Sequence, residues 1–281
     1  MPYNYSIIVP YRDKYKLFVK AIDSIPDRKD IQIIIVDNAP QSLLKEQIPQ
    51  KNHITVTYIT SSPTKGAGHA RNVGMEYAEG EYIIFLDSDD FFTDIAFGCF
   101  DTYLDKDYDL IVFNATSICI PDGTASLRHK HIEDRINEYL IDGSEDPIRY
   151  LIVTPYPKMI RRELITHYNL KFMEVPASND LLFSVKVGHF ARKICVSDKI
   201  VYVITEGTAN SSLTKSPTRE NMWSRYNVAM EQYKFMESIG RKDLRFHVAP
   251  MILFSLKKFG VKEFFKYIKY ALKNKINIFL R

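Results

Sequence analysis

Tyr82-Ile83-Ile84-Phe85-Leu86-Asp87-Ser88-Asp89-Asp90 decides the fold: five apolar residues in a row, then three carboxylates within four positions. A short run that is apolar at every residue reads as a strand buried on both faces. Ser6–Pro10 (SIIVP) is a short apolar run that ends at a proline, and Ile31–Val36 (IQIIIV) and Ile54–Thr60 (ITVTYIT) read as two more buried strands. Asp13–Ser24 and Gly68–Ala78, which lie between them, have helical spacing. Strands alternating with helices imply βαβ units and a parallel sheet. Right-handed crossovers then put every strand's carboxyl end on one edge, where ligands bind. Tyr11–Asp13, Asp37–Asn38 and Asp87–Asp90 all follow such strands, so three polar clusters fall on that edge. The fold class predicted is α/β, a Rossmann-like and mostly parallel sheet flanked by helices, with a helical C-terminal extension.

Farther along, Leu110–Asn114 continues the sheet and Ile200–Ile204 adds a strand, while Gly123–Gly143 is polar and peripheral. Ile148–Leu170 reads as helix interrupted by Pro155 and Pro157, Leu181–His189 as helix, and Asn221–Ile239 and Pro250–Lys273 as two more. With 281 residues and 46% hydrophobic composition, the chain can bury a large core, which excludes a disordered protein. Cys99, Cys119 and Cys195 form no CxxC pair, which excludes a disulfide framework or cysteine zinc site and suits a reducing compartment. No leader or apolar run of membrane-spanning length is seen, so a cytoplasmic location is expected.

In extended chain, residues two apart face the same side, so Asp87 and Asp89 can converge on one ligand. Paired carboxylates suit a hard divalent cation, Mn²⁺ or Mg²⁺, with phosphate and water supplying the other oxygens. The bland reading is a solvated acidic turn. Asp90 is open between a metal, a substrate and a helix-capping role.

The ordered set SIIVPYRD, IIIVDNAP, Gly66-Ala67-Gly68-His69-Ala70-Arg71-Asn72-Val73-Gly74 and FLDSDD closely resembles the family 2 glycosyltransferases of the GT-A fold. A thinner likeness runs on through Pro157-Lys158-Met159-Ile160-Arg161-Arg162-Glu163-Leu164, Asn179-Asp180-Leu181-Leu182-Phe183 and Gly207–Ser216. It implies a catalytic domain over 1–216, with a nucleotide-sugar half (1–115) and an acceptor half (116–216), followed by a helical region over 217–281. Asn38, Asn179 and Pro157 depart from the family's usual residues. The resemblance implies an inverting transferase, with a nucleotide-diphosphate sugar (a UDP-sugar) as donor and a glycan or lipid-linked saccharide hydroxyl as acceptor. It puts Pro10 and Tyr11 at the base and ribose wall, Asp37 at the base, Gly66 and Gly68 against phosphate or sugar, Arg71 toward the pyrophosphate and Asp87 on the ribose or the ion's water, with Arg12, Asn38 and Ser88 also among the residues that bind the nucleotide sugar. Asp89, with Asp87, would hold the metal, and Asp180 would be the catalytic base. Other readings stay open: a turn or cap role for Asp37, an internal salt bridge for Arg71, ordinary loop glycines at Gly66 and Gly68, a helix cap for Asp180. Lys158 and Arg161 are candidate acceptor or phosphate contacts, with solvated surface as the favoured reading. His69, His167 and His189 show no ligand spacing and receive no role.

Charge is unevenly spread. Residues 251–281 hold eight Lys or Arg and one acid, Glu263, a balance of +7, which leaves −3 for residues 1–250 of the chain's +4. Val261, Phe264, Phe265, Ile268 and Leu272 recur at helical spacing among Lys257, Lys258, Lys262, Lys266, Lys269 and Lys273. That is a basic amphipathic helix, either lying on a membrane surface or packed on the catalytic domain with a solvated lysine face. No nucleic-acid motif is present. The rival functions are a sugar-nucleotide nucleotidyltransferase, disfavoured by the lack of glycines in SIIVPYRDKYK, and a non-catalytic nucleotide-sugar-binding module.

Overall fold

The structure is a computed structural model and describes residues 3–43, 45–62, 64–120, 122–207 and 217–278. Most of the Gly207–Ser216 segment singled out above lies outside the described residues. Among the described residues, eight strands form one sheet: β1 (Tyr5–Tyr11), β2 (Ile31–Asp37), β3 (Thr55–Thr60), β4 (Tyr82–Phe85), β5 (Phe91–Phe92), β6 (Leu110–Cys119), β7 (Lys158–Arg161) and β8 (Ile194–Glu206), in the order β3-β2-β1-β4-β7-β6-β8-β5. β1 to β4 are mutually parallel, as the alternation of strands and helices predicts, and every residue of β1, β2 and β4 is buried. β3, expected to be buried like them, is instead an edge strand, with Thr55 and Thr60 exposed and the residues between them half-buried. Helices α1 (Tyr15–Asp23) and α2 (Gly66–Glu76) supply the crossovers. α2 lies unusually close to the sheet because Gly74 has no side chain: a Cβ there would run into Ile8.

The remaining helices are α3 (Ala96–Asp101), α4 (Lys130–Asp142), α5 (Arg162–His167), α6 (Leu181–Phe190), α7 (Arg219–Ser238), α8 (Ala249–Phe259) and α9 (Val261–Lys273). Three further expectations need correction. The region expected to be helical over 148–170 instead holds a π-helical turn (Pro147–Leu151), β7 and the short α5. Pro155 and Pro157 stop the helix, and the four residues that follow pair antiparallel with β4 on one side and β6 on the other. Tertiary pairing outweighs local propensity there. The polar stretch before Gly143 is a helix, α4, anchored by Ile132 and Ile136 one turn apart and ended by Gly143 at φ 71°. The single helix expected over 250–273 is broken at Gly260, whose φ of 88° favours glycine.

One hydrophobic core follows the sheet. A second, built from Tyr226, Met230, Tyr233, Ile252, Tyr267 and Ala271, holds α7, α8 and α9 together. A small cluster of Tyr150, Val185 and Met236 joins α7 to the rest.

Candidate active site

β1, β2 and β3 end in register, Tyr11 beside Asp37 and Asp37 beside Thr60. β4 stops earlier, with Phe85 beside Ile8, so the chain turns along the same edge from Leu86 to Asp90. That turn is closed by the Asp90 N–H donating to the Asp87 carbonyl at 2.9 Å. Asp90 itself is buried. It accepts from the Tyr202 hydroxyl at 2.9 Å and the Thr205 N–H at 2.7 Å, and the Thr205 hydroxyl donates to the Asp89 carbonyl at 2.6 Å. Tyr202 also accepts from the Asp87 N–H at 3.1 Å. β8 therefore clamps the acidic turn from below, and Asp90 is a structural member of it. Burial, followed by the charges of Asp89 and Asp87, holds the Asp90 carboxyl well above the usual carboxylate range.

Asp87 and Asp89 are only half-buried, and each faces a cation. Asp87 accepts from the Arg71 guanidinium, and Asp89 from the Lys14 ammonium at 2.9 Å. Arg71 is buried in α2, and its other fork nitrogen donates to the Asn179 side chain at 2.9 Å. Arg71 thus makes the internal salt bridge that its sequence context allowed. Its Nε is buried without a partner. The whole Arg71–Gly74 stretch has a positioning role, because Asn72 grips the Phe172 backbone in both directions at 2.8 and 3.0 Å. Gly68 lets the Met173 carbonyl come in where any Cβ would clash, so its close approach is to protein. Gly66, at φ 74°, opens the helix.

Those contacts carry the 172–180 loop, and with it Asp180, to the rim of the sheet. α7 holds the same loop from the other side: Ser224 accepts from the Ala177 N–H at 3.1 Å and donates to its carbonyl at 2.8 Å. Asp180 precedes α6 without its side chain capping that helix. Burial raises its pKa; Arg71 lowers it, Asp87 raises it and Lys158 lowers it. Asp180, Arg71 and Asp87 therefore form one electrostatic group. Lys158 is not solvated surface as expected: it is buried in β7, with its ammonium donating to the Ile152 carbonyl at 2.6 Å. Burial pushes its pKa down to about 7 against the pull of Asp180. Arg161 is also engaged, with Glu81 at 3.0 Å and the Tyr82 hydroxyl at 2.9 Å.

At the neighbouring strand ends the outcome differs. Asp37 is fully buried, and its carboxylate accepts from the N–H of Ala39 at 2.9 Å, the N–H of Leu43 at 2.8 Å and the Tyr58 hydroxyl. Its burial and these three contacts fit the loop-holding reading. Asn38 is buried beside it, with its N–H on the Tyr11 carbonyl at 2.8 Å. Pro10 and Tyr11 are buried, the Tyr11 ring lying 4.6 Å from that of Phe18, while Arg12 is exposed and Ser88 half-buried at the edge.

Four residues escape a reading of the sequence. Lys14 reaches Asp89 from a left-handed backbone position (φ 61°). Tyr156 and Tyr202 stack at 4.6 Å with their planes 1° apart, both pushed well above the ordinary phenol range by burial and then by Asp90 and Asp87. Arg128 lies within reach of the same acids. The Pro155-Tyr156-Pro157 run that leads into β7 offers no spacing signal; only the lone lysine in Lys158-Met159-Ile160 marks the strand as unusual.

Asp87 and Asp89 suit the hard-cation chemistry expected of Mn²⁺ or Mg²⁺, since Asp89 is accessible and Asp90 already registers the crowding of three acids. Among the described residues, no group of three or more metal-binding side chains gathers on its own. Most ligands would therefore have to come from a bound diphosphate and water.

A parallel sheet with an acidic turn after its fourth strand, extended by an antiparallel strand and flanked by helices, is the GT-A fold. The chain belongs to glycosyl transferase family 2, whose pattern matches residues 6–168. It is 26% identical over 211 residues to the minor teichoic acid biosynthesis protein GgaB of Bacillus subtilis, covering 71% of this chain and 22% of that protein. It is 25% identical over 226 residues to the poly(ribitol-phosphate) beta-N-acetylglucosaminyltransferase TarS of Staphylococcus aureus, covering 76% of this chain and 38% of that protein. The chain thus spans well under half the length of these two relatives. A solved structure of residues 1–349 of S. aureus TarS in complex with UDP-GlcNAc superposes with a TM-score of 0.68 at 19% identity, over 96% of this chain and 80% of that one. The mannosyltransferase PcManGT of Pyrobaculum calidifontis in complex with GDP-Man and Mn²⁺ gives 0.55 at 13% identity, covering 96% and 80%.

Proposed function

We propose that this chain is an inverting glycosyltransferase that moves a sugar from a UDP-sugar to a hydroxyl of a surface glycan or lipid-linked saccharide. The observation that carries the reading is the grouping of Asp180 with Arg71 and Asp87 at the sheet edge, where three separate elements deliver them. The uridine donor is favoured by the UDP-GlcNAc complex of the TarS structure. The acceptor is favoured by the relatives named for teichoic acid and poly(ribitol-phosphate) chemistry. A Campylobacter jejuni relative named for undecaprenol-linked glucosyl transfer, 36% identical over 90 residues, points the same way.

In this mechanism Asp180 takes the proton of the acceptor hydroxyl as its oxygen bonds to the anomeric carbon. The carbon–oxygen bond to the diphosphate breaks, and the nucleotide leaves with the electron pair. One displacement with one base inverts the centre, so an α-linked donor gives a β-linked product. Burial raises the Asp180 pKa and makes it a stronger base, against the lowering pull of Arg71. Asp89 and Asp87 would hold the Mn²⁺ or Mg²⁺, which supplies Lewis-acid stabilisation of the diphosphate's growing charge. Lys14 is exposed and able to swing from Asp89 to the phosphates. Residues 251–281 would bring the enzyme to the membrane face where a lipid-linked acceptor lies.

The test is nucleotide release from a panel of UDP- and GDP-sugars, with Mn²⁺ and with chelator, on the wild type and Asp89→Ala. Metal-dependent release from a UDP-sugar, lost in the variant, is expected. Donor binding by calorimetry with no turnover toward water or any acceptor would overturn the reading.

A further inference from the structure

α9 has two apolar stripes: one is packed inside the molecule, and the other is mostly exposed among the described residues, with only Ile268 reaching the core. Tyr267 and Ala271 are fully buried. The Tyr226 hydroxyl of α7 donates to the Tyr267 carbonyl at 2.9 Å, and Trp223 lies 5.1 Å from the Tyr267 ring and 5.0 Å from that of Tyr270. The Tyr270 hydroxyl donates to Asn227 at 2.6 Å. That stripe satisfies the packing of α9 on α7. The residues that carry the amphipathic pattern in the sequence lie mostly elsewhere: Val261 (61% exposed), Phe265 (61%) and Leu272 (64%) face solvent, with Ile268 half-buried between them. Their spacing of four, three and four residues makes one continuous stripe along the helix. Leu253 on α8 is 62% exposed as well.

Lys258, Lys262, Lys266, Lys269 and Lys273 are all exposed or partly exposed along the same pair of helices, and Glu263 is the one acid among residues 251–281. An uncovered apolar stripe edged by lysines is costly in water. A protein partner fits poorly, because lysine is depleted at protein interfaces. A soluble polyanion would use the lysines and leave the apolar side chains in water. A bilayer surface uses both, with rings and branched chains in the acyl boundary and ammonium groups among the headgroups. α9 has 13 residues, about 20 Å of helix, which is too short to cross. Among the described residues, no helix is long and apolar enough to cross a membrane.

We infer that the Val261–Phe265–Leu272 stripe of α9 lies in the surface of an anionic bilayer, with the flanking lysines on its headgroups. This deepens the reading of a lipid-linked acceptor and rests on it for its purpose, although the binding needs no donor or acceptor. The stripe is separate from the Tyr267–Ala271 stripe, so it can be altered without unpacking the helix.

The test is co-sedimentation of the full chain with vesicles of phosphatidylcholine alone and with phosphatidylglycerol added, at low and at high NaCl. Binding to the anionic vesicles only, weakened by salt, is expected. Phe265→Ser with Leu272→Ser should weaken it at least about tenfold, and Lys262→Gln with Lys269→Gln by about as much, with thermal midpoints unchanged in both. Lack of vesicle binding, or equal binding by the serine variant, overturns the inference. So does a concentration-dependent dimer that the serine variant abolishes, since the stripe would then be covered by a second copy. Because no sugar transfer is measured, a failed sedimentation leaves the transferase reading standing, and an inactive enzyme that still binds vesicles leaves this one standing.

Discussion

β2 and β4 deliver aspartates to the same edge of the same sheet, and the molecule uses them in opposite ways. Asp37 turns inward and accepts from two backbone N–H groups of the loop that follows it and from the Tyr58 phenol of β3. Asp87 and Asp89 stay partly exposed and meet side-chain cations instead, one buried in α2 and one exposed on the surface. A backbone donor cannot leave without unfolding its loop, whereas an exposed ammonium can be exchanged for another cation at small cost. Position at a strand end therefore does not make a carboxylate a ligand site. The kind of partner it has decides that.

The sharpest way to break this comparison starts at the acid on which the functional side depends. Asp180→Asn is expected to lower kcat by about a thousandfold, the middle of the range for loss of a general base, while nucleotide binding by calorimetry is retained. A loss of about tenfold or less would remove Asp180 from the chemistry. Next comes the contrast in stability. Asp37→Ala strands buried donors and should cost about 3 kcal/mol in denaturant unfolding. Asp89→Ala breaks a half-exposed pair and should cost about 1 kcal/mol or less. Equal costs would mean that the two strand ends are not used differently.

The parts legible in the sequence are those whose residues answer to one local rule. β1, β2 and β4 are apolar at nearly every position because both faces are covered, and that pattern cannot be mistaken for a surface strand. β7 has four residues and a lysine in its core, so its identity comes wholly from lying between β4 and β6. α4 shows only Ile132 and Ile136 to the interior, too little periodicity to stand out in a polar stretch. In the site, the acidic turn announces itself, whereas the Tyr202 clamp and the Lys14 pair join residues 112 and 75 positions apart that no spacing relates. Asp180 is legible only through the family resemblance. Its residues alone read first as a helix start, and in the structure Asp180 does stand at the N-cap of α6, though with no side-chain capping bond.

Lys158 sharpens the comparison from the other direction, as a cation placed inside the fold with a carbonyl for its direct partner. Its pKa, ordinarily 10.5, is pushed down to about 7 in the folded chain. Below about pH 7 both folded and unfolded chains hold the proton, and the folded one carries the cost of a buried charge. Between about pH 7 and 10.5 the unfolded chain holds a proton that the folded chain has released, so this group's contribution to stability rises with pH. Lys158→Met should remove that rise and, just below neutrality, stabilise the protein by about 1–2 kcal/mol, as apolar replacements of buried charges do. The same change deprives Asp180 of a positive neighbour, with Arg71 still lowering its pKa and Asp87 still raising it. The acid limb of kcat/KM should therefore move to higher pH as stability increases. Gain and loss in one variant is the mark of a charge kept for the site, and a more stable Lys158→Met enzyme with an unmoved pH profile would make the lysine a flaw in the core and nothing more.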